Sequence, residues 1–224
     1  MLLLAYSSML HAANVKHVEL GLKAIDTIQK EKNLYGTPAK LVIQGANGSV
    51  TENRTECASF VTQLFRVSYG LNDAFFKSWS GSTSPTSAKY FDAIQAGNKF
   101  SRITKINSVQ PGDLIAVKYL SGNSAGDSGH MMVVLAAPEP MTAVKPLVTG
   151  TEQYQVLVMD STKSPHGTGD SRVGASEQGL GKGYIRLYVN AAGEMVGYAW
   201  SRSVGSTFYG PNQRPFIVGR MNLP

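Results

Sequence analysis

Among 224 residues there is one cysteine, and it sits where a thiol nucleophile would be expected. Cys57 lies in the stretch Thr55-Glu56-Cys57-Ala58-Ser59-Phe60-Val61-Thr62-Gln63-Leu64-Phe65-Arg66, where a polar loop gives way to apolar residues at helical spacing. Phe60, Val61, Leu64 and Phe65 share one face, which puts Cys57 in the first turn with Thr55 as the expected N-cap. Unpaired backbone N–H groups and the positive end of the helix dipole favour a thiolate over a thiol there. A free cysteine is more often a small buried apolar residue, so the functional reading depends on finding a base for it.

A thiolate nucleophile needs a base within hydrogen-bond reach and a third group that orients the base. Of the four histidines, His130 is the best base, because it opens the apolar run His130-Met131-Met132-Val133-Val134-Leu135-Ala136 directly after a Gly/Ser-rich loop, Ser121 to Gly129. His11 and His17 fall in the N-terminal segment and are expected at the surface; His166, in Ser164-Pro165-His166-Gly167, is a loop-borne second choice. Asp160 ends the strand after that of His130. If the two strands are neighbours, its carboxylate lies beside the imidazole and fixes its tautomer. The polar segment from Asp160 to Arg172 reads as a loop over the cleft, with His166, Asp170 or Arg172 contacting a carboxylated substrate. Phe75, Phe76 and Trp79, in the apparent loop Asn72 to Thr86, are candidates to line a substrate groove.

The bulk numbers narrow the function classes. With 42% hydrophobic and 16% charged residues the chain can bury a substantial core. Two units are read along it: an N-terminal segment and helix, residues 1–33, and a single catalytic domain, 34–224. One cysteine excludes an intrachain disulfide and a multi-Cys zinc site. A net charge of +6 and a pI near 9.4 suggest an anionic partner. Lys and Arg are scattered without a basic run or an aromatic-basic repeat, which argues against nucleic acid. No stretch reaches the roughly 18 apolar residues of a membrane span. Residues 1–13 have the length of a signal-peptide hydrophobic region and end in small residues, though without a basic start, and are read as a signal remnant of an exported, periplasmic or secreted protein.

Along the chain, Val15, Val18, Leu22, Ile25 and Ile28 mark an amphipathic helix from about residue 14 to 32. A short helix opens at Pro85-Thr86-Ser87 and carries Tyr90, Phe91 and Ile94. Pro111-Gly112-Asp113 turns into the run Leu114 to Tyr119; further strands are read at Gln155 to Met159, Tyr184 to Val189, Met195 to Trp200 and Pro215 to Arg220. The Pro-rich stretch with Pro138, Pro140 and Pro146 reads as irregular, and the sequons Asn47-Gly-Ser and Asn53-Arg-Thr carry no weight. Helices first and strands later indicate an α+β class with an antiparallel sheet of about five or six strands.

Taken together, Thr-Glu-Cys57-Ala-Ser-Phe-Val at a helix start, Gln110-Pro111-Gly112-Asp113-Leu114-Ile115 opening a strand, Gly129-His130 opening the next and Asp160 ending a third resemble the NlpC-type papain-like cysteine peptidases of bacterial cell walls and the related CHAP amidases. The resemblance spans about Thr55 to Ser161. It departs from the family pattern at Glu56 and Ala58-Ser59, so the chain reads as a divergent member. The family's tyrosine upstream of the cysteine has no clear match, Tyr35 being the nearest candidate. The resemblance implies a papain-like fold with N-terminal helices packed on the sheet. Cys57 would attack a carbonyl carbon, His130 would shuttle the proton, Asp160 would hold His130, and the Cys57 N–H would help stabilise the oxyanion. It implies cleavage of peptide or peptidoglycan amide bonds with no metal or organic cofactor. Three other readings stand beside it: an acyltransferase, thioesterase or secreted toxin using the same thioester intermediate; a binding module that kept the fold without turnover; and a metal site built from His130, Asp160 and His166, which lacks a recognised ligand spacing.

Overall fold

The computed structural model describes residues 15–45, 48–120 and 128–223. The stretch 1–13, read above as a signal remnant, with His11, the Asn47 sequon and most of the loop 121–129 lie outside the described residues. No helix among the described residues is long and apolar enough to cross a membrane.

Four helices, α1 (Lys16–Thr27), α2 (Cys57–Tyr69), α3 (Asp73–Ser80) and α4 (Ser87–Gln95), cover one face of a large antiparallel sheet. The sheet is built from β4 (Phe100–Ile103), β5 (Leu114–Lys118), β6 (Gly129–Val134), β7 (Glu139–Pro140), β8 (Thr151–Thr162), β9 (Gly179–Asn190), β10 (Met195–Ala199), β11 (Phe208–Tyr209) and β12 (Phe216–Met221). Its order is β11-β10-β9-β8-β6-β5-β12-β4, with β7 added beside β8. Before α2, a smaller sheet pairs β1 (Asn33–Tyr35) parallel to β3 (Glu52–Thr55), with β2 (Lys40–Val42) antiparallel on the other side of β3.

The period of two in the strands separates two cores. Leu114, Ala116, Met131, Val133 and Met159 point to the helix side, where they meet Phe60, Val61, Leu64 and Phe65 of α2. Ile115, Val117, Met132, Val134, Val156, Val158, Ile185 and Leu187 form the second core, in which the sheet packs on itself. Burial on both faces explains why β5 and β6 are continuously apolar rather than alternating. To enclose the second core the sheet curls until the segment after β4 meets the start of β10: Ile106 N–H donates to Gly193 O at 3.0 Å, and Lys105 bridges Glu194 without closing a barrel.

The α+β class and the antiparallel sheet are as expected, but among the described residues the sheet has nine strands, not five or six. The additional ones, β4, β7 and β11, run two to four residues, too short for a period to register. The helix expected over residues 14–32 ends at Thr27, where Ile28 turns extended. His17, expected at the surface, is buried because its Nε2 bonds Gly112 O at 2.9 Å and its Nδ1 bonds the Tyr69 hydroxyl at 2.7 Å. The loop read at Asn72 to Thr86 contains α3, capped by the Asn72 side chain on Phe75 N–H and ended by Gly81 in the left-handed conformation.

Candidate active site

Cys57 is the first residue of α2, and the strand β3 leads straight into it. Glu56, not Thr55, is the N-cap: its carboxylate accepts from the Ser59 N–H, and the Ser59 hydroxyl accepts from the Glu56 N–H at 2.9 Å. This reciprocal capping box satisfies two of the backbone N–H groups at the start of α2, one residue before the thiol. Thr55, at the end of β3, gives its hydroxyl proton to Asn53 Oδ1 instead. By its position in the first turn, the Cys57 N–H has no intrahelical acceptor.

His130 reaches the sulfur because β6 begins against it. The Gly129 carbonyl oxygen lies 3.8 Å from Cys57 Sγ, and the Ser87 hydroxyl, from the first turn of α4, lies 3.7 Å away. Gly129 must be glycine: at φ +146° its backbone runs so close to Val117 that any Cβ would overlap the Val117 carbonyl. His130 Nε2 bonds Asp160 Oδ2 at 2.6 Å, which leaves Nδ1 for the sulfur. That contact follows from β6 lying beside β8, with Val133 opposite Met159. Cys57 and His130 are 7% and 6% exposed and so remain reachable at the cleft floor, whereas Asp160 is fully buried.

The charges support one another. Burial alone would raise the Cys57 thiol, but the positive charge and hydrogen bond of His130, with help from the Ser87 hydroxyl, bring it below its usual value. Burial would lower His130; the Cys57 charge and the Asp160 hydrogen bond outweigh it and push the imidazole up to about 10. Burial would likewise raise the Asp160 carboxyl, yet Arg172, His166 and His130 hold it well below the usual carboxylate range. Both shifts favour the thiolate–imidazolium form of the pair over the neutral one.

Beneath Asp160 lies a buried network. Arg172 Nη1 donates to Asp160 Oδ1 at 2.8 Å, while its Nε and Nη2 hold both oxygens of Asp170 at 2.9 and 2.7 Å. His166 Nε2 bonds the same Asp160 oxygen as His130, at 3.0 Å, and its Nδ1 faces the Trp200 carbonyl at 2.8 Å. The Trp200 ring stands edge-on to His130, with centroids 4.8 Å apart. Room for this network comes from β9, where a Cβ on Gly181 would strike the Arg172 side chain and one on Gly183 would strike Asp170.

No family model matches the chain, and no solved structure matches it. A protein of Acanthamoeba polyphaga mimivirus, named "Uncharacterized protein R653", is 36% identical over 186 residues, covering 79% of this chain and 82% of the viral protein. The chain belongs to the family of that mimiviral protein.

In this family member the expected trio Cys57, His130 and Asp160 comes together, and Asp160 rather than His166 touches the base. The residues expected to contact substrate are elsewhere. His166, Asp170 and Arg172 are buried under Asp160, 1%, 4% and 1% exposed, because two carboxylates there need a cation. Trp79 is buried among Phe76, Tyr90 and Phe100 rather than lining a groove. The ring nitrogens of His130 and His166 that would bind a metal are spent on Asp160 Oδ2; among the described residues no group of three or more His, Cys, Asp or Glu is arranged to hold an ion.

Two hollows adjoin the pair and share Tyr35 and Gly129. One, about 180 Å³, opens at Cys57 and is lined by Glu56, Ser84, Thr86, Ser87 and Ser128. The other, about 320 Å³, opens at His130 and includes Tyr119, Lys163, Trp200 and Arg214. A larger hollow, about 770 Å³, lies at the β9–β10 turn, away from this chemistry. Tyr35 is 22 positions before Cys57, yet the parallel pairing of β1 with β3 sets it opposite Thr55 and so at the cleft.

Proposed function

We propose that this chain is a papain-like cysteine amidohydrolase that cleaves amide bonds of peptides, with the stem peptides of bacterial peptidoglycan as its substrate class. The observation that carries this reading is the convergence of Cys57 Sγ, the His130 ring and the buried Asp160 carboxylate, with Cys57 and His130 each opening into one of two adjoining hollows. A nucleophile at a helix start, a base opening an antiparallel strand and a carboxylate from the neighbouring strand support the papain-like layout.

The steps follow from the charges. The Cys57 thiolate adds to the carbonyl carbon, and the oxyanion that forms is met by the Cys57 N–H at the positive end of α2. As the C–N bond breaks, the His130 imidazolium gives its proton to the departing amine, leaving a thioester. Water then attacks the thioester carbonyl while His130 takes its proton, so acid is released and the thiolate restored. Asp160 stays ionised throughout and holds the imidazole by Nε2.

Hydroxyls dominate the lining of the Cys57 hollow and two cations join hydroxyls in the lining of the His130 hollow, which favours a polar peptide over an acyl lipid. The net charge of +6 suits an anionic wall polymer, and a substrate outside the membrane implies an exported or periplasmic enzyme. The test is mass analysis of products after incubating purified peptidoglycan with wild type and with Cys57→Ala. Free amine and carboxyl ends that appear only with wild type support the reading. No cleavage, with turnover of a ubiquitin-like conjugate or an acyl thioester instead, would reassign the substrate.

A further inference from the structure

The two hollows beside the catalytic pair differ in charge, and the mechanism gives each a side. Because His130 protonates the departing amine, the leaving half of the substrate must lie in the hollow that opens at His130, and the acyl half in the one that opens at Cys57. Lys163 and Arg214 both line the His130 hollow, and it has no carboxylate among its described lining residues. The Cys57 hollow has no cation among its lining residues and one acid, Glu56.

The cations are held in place by rings. Arg214 is stacked between Tyr209 and Tyr119, its guanidinium carbon 4.2 and 4.8 Å from their centroids, and Lys163 Nζ lies 5.3 Å from the Tyr35 ring. The Tyr198 hydroxyl takes one hydrogen bond from Arg214; stacking fixes the plane of a guanidinium and leaves its remaining edge N–H groups for a planar acceptor, the arrangement suited to a carboxylate. Neither cation is in an ion pair with an Asp or Glu among the described residues. Arg214 is half-buried and Lys163 exposed, so one is a fixed recogniser and the other a flexible one.

We propose that the hollow lined by His130, Tyr35, Tyr119, Lys163 and Arg214 is a leaving-group subsite selecting an amine that carries a carboxylate, read chiefly by Arg214 and secondarily by Lys163. This rests on the hydrolase reading above and adds the direction in which the substrate lies. The substrate is cleaved on the amino side of a residue whose carboxylate is free.

The experiment compares kcat/KM for three probes with one acyl half, chosen from the peptide cleaved in the product analysis. In one the leaving residue ends in a carboxylate, in the second in a carboxamide, and the third is a p-nitrophenyl ester whose leaving group has no carboxylate. Wild type should prefer carboxylate over carboxamide by roughly tenfold or more, as expected for a hydrogen-bonded charge pair. The preference should fall to near unity in Arg214→Gln/Lys163→Gln, with ester hydrolysis showing that the variant is folded, and partly in Lys163→Gln alone, an exposed change that does not disturb packing. Equal rates on the two peptides in wild type, or an undiminished preference in the double variant with its ester hydrolysis intact, would overturn the subsite while leaving the hydrolase reading standing. A wild type that turns over none of the three probes would remove both.

Discussion

Replacing Arg172 by Met keeps most of the side chain's bulk and removes the guanidinium beneath Asp160. Its guanidinium donates to both oxygens of Asp170, to Asp160 Oδ1 at 2.8 Å, and to the carbonyls of Asp160 and Gly179 at 3.2 and 3.0 Å. Without it Asp170 keeps only the N–H groups of His166 and of residue 172, and Asp160 keeps its two histidines. Leaving one partner of a buried ion pair unmatched costs about 3–5 kcal/mol. At roughly 2–4 °C per kcal/mol for a chain of this size, the melting temperature should fall by roughly 6–20 °C. Calorimetry on wild type, Arg172→Met, Asp170→Asn and the double variant closes the cycle. Because the neutral amide of Asp170→Asn no longer needs a cation, the Arg172→Met step should cost about 1 kcal/mol or more less in that background. At a temperature where Arg172→Met is folded, kcat should drop through the disturbed Asp160 while KM stays near wild type. A melting shift under about 3 °C with no coupling, or a change confined to KM, would refute the buried-clamp reasoning and return Arg172 to the substrate.

Asp160→Asn should lower kcat by roughly two to four orders of magnitude, measured on the cleaved peptide, since the amide no longer stabilises the imidazolium. The same variant checks linkage by denaturant unfolding. Asp160 is depressed in the folded chain, so its contribution is present above its unfolded value of about 3.9 and lost as pH falls through the folded one, and the wild-type advantage should shrink below about pH 4. Ser87→Ala removes one hydroxyl 3.7 Å from the sulfur and should slow alkylation of Cys57 at neutral pH by roughly two- to tenfold, a hydrogen bond's worth. Trp79→Ala should cost about 3–5 kcal/mol in chemical denaturation while leaving KM unchanged, because the ring is packed in the aromatic cluster and not at the cleft.

The trio Cys57, His130 and Asp160 is legible in the sequence because each member sits at or near the end of an element, where pattern changes are sharpest: Cys57 at a helix start, His130 opening an apolar strand, Asp160 late in the next. What surrounds them is hidden for physical reasons. A buried cluster of opposite charges has the same composition as a solvated loop, so His166, Asp170 and Arg172 read as surface. The signal that separates the two is in β9: Gly179-Leu180-Gly181-Lys182-Gly183 puts glycine at every second position, as needed where another chain segment presses on one strand face. α3 is masked because Phe75, Phe76 and Trp79 suggest a groove, although Asn72 and Gly81 stand at the two capping positions. Tyr35 is too distant along the chain to be tied to Cys57, since only the β1–β3 pairing, a contact between segments, brings it to the cleft. The short strands β4, β7 and β11 owe their conformation to the strand beside them rather than to any pattern of their own.

The most direct measurement is the rate at which a neutral haloacetamide alkylates Cys57 as a function of pH, in wild type and in His130→Asn. If the sulfur is paired with an imidazolium, the wild-type rate will already be on a plateau through neutral pH and will change again only near pH 10, where His130 gives up its proton, whereas His130→Asn will react as an ordinary thiol. A wild-type rate that climbs about tenfold per pH unit until the ordinary thiol value near 8.5, with His130→Asn indistinguishable from it, would contradict the account.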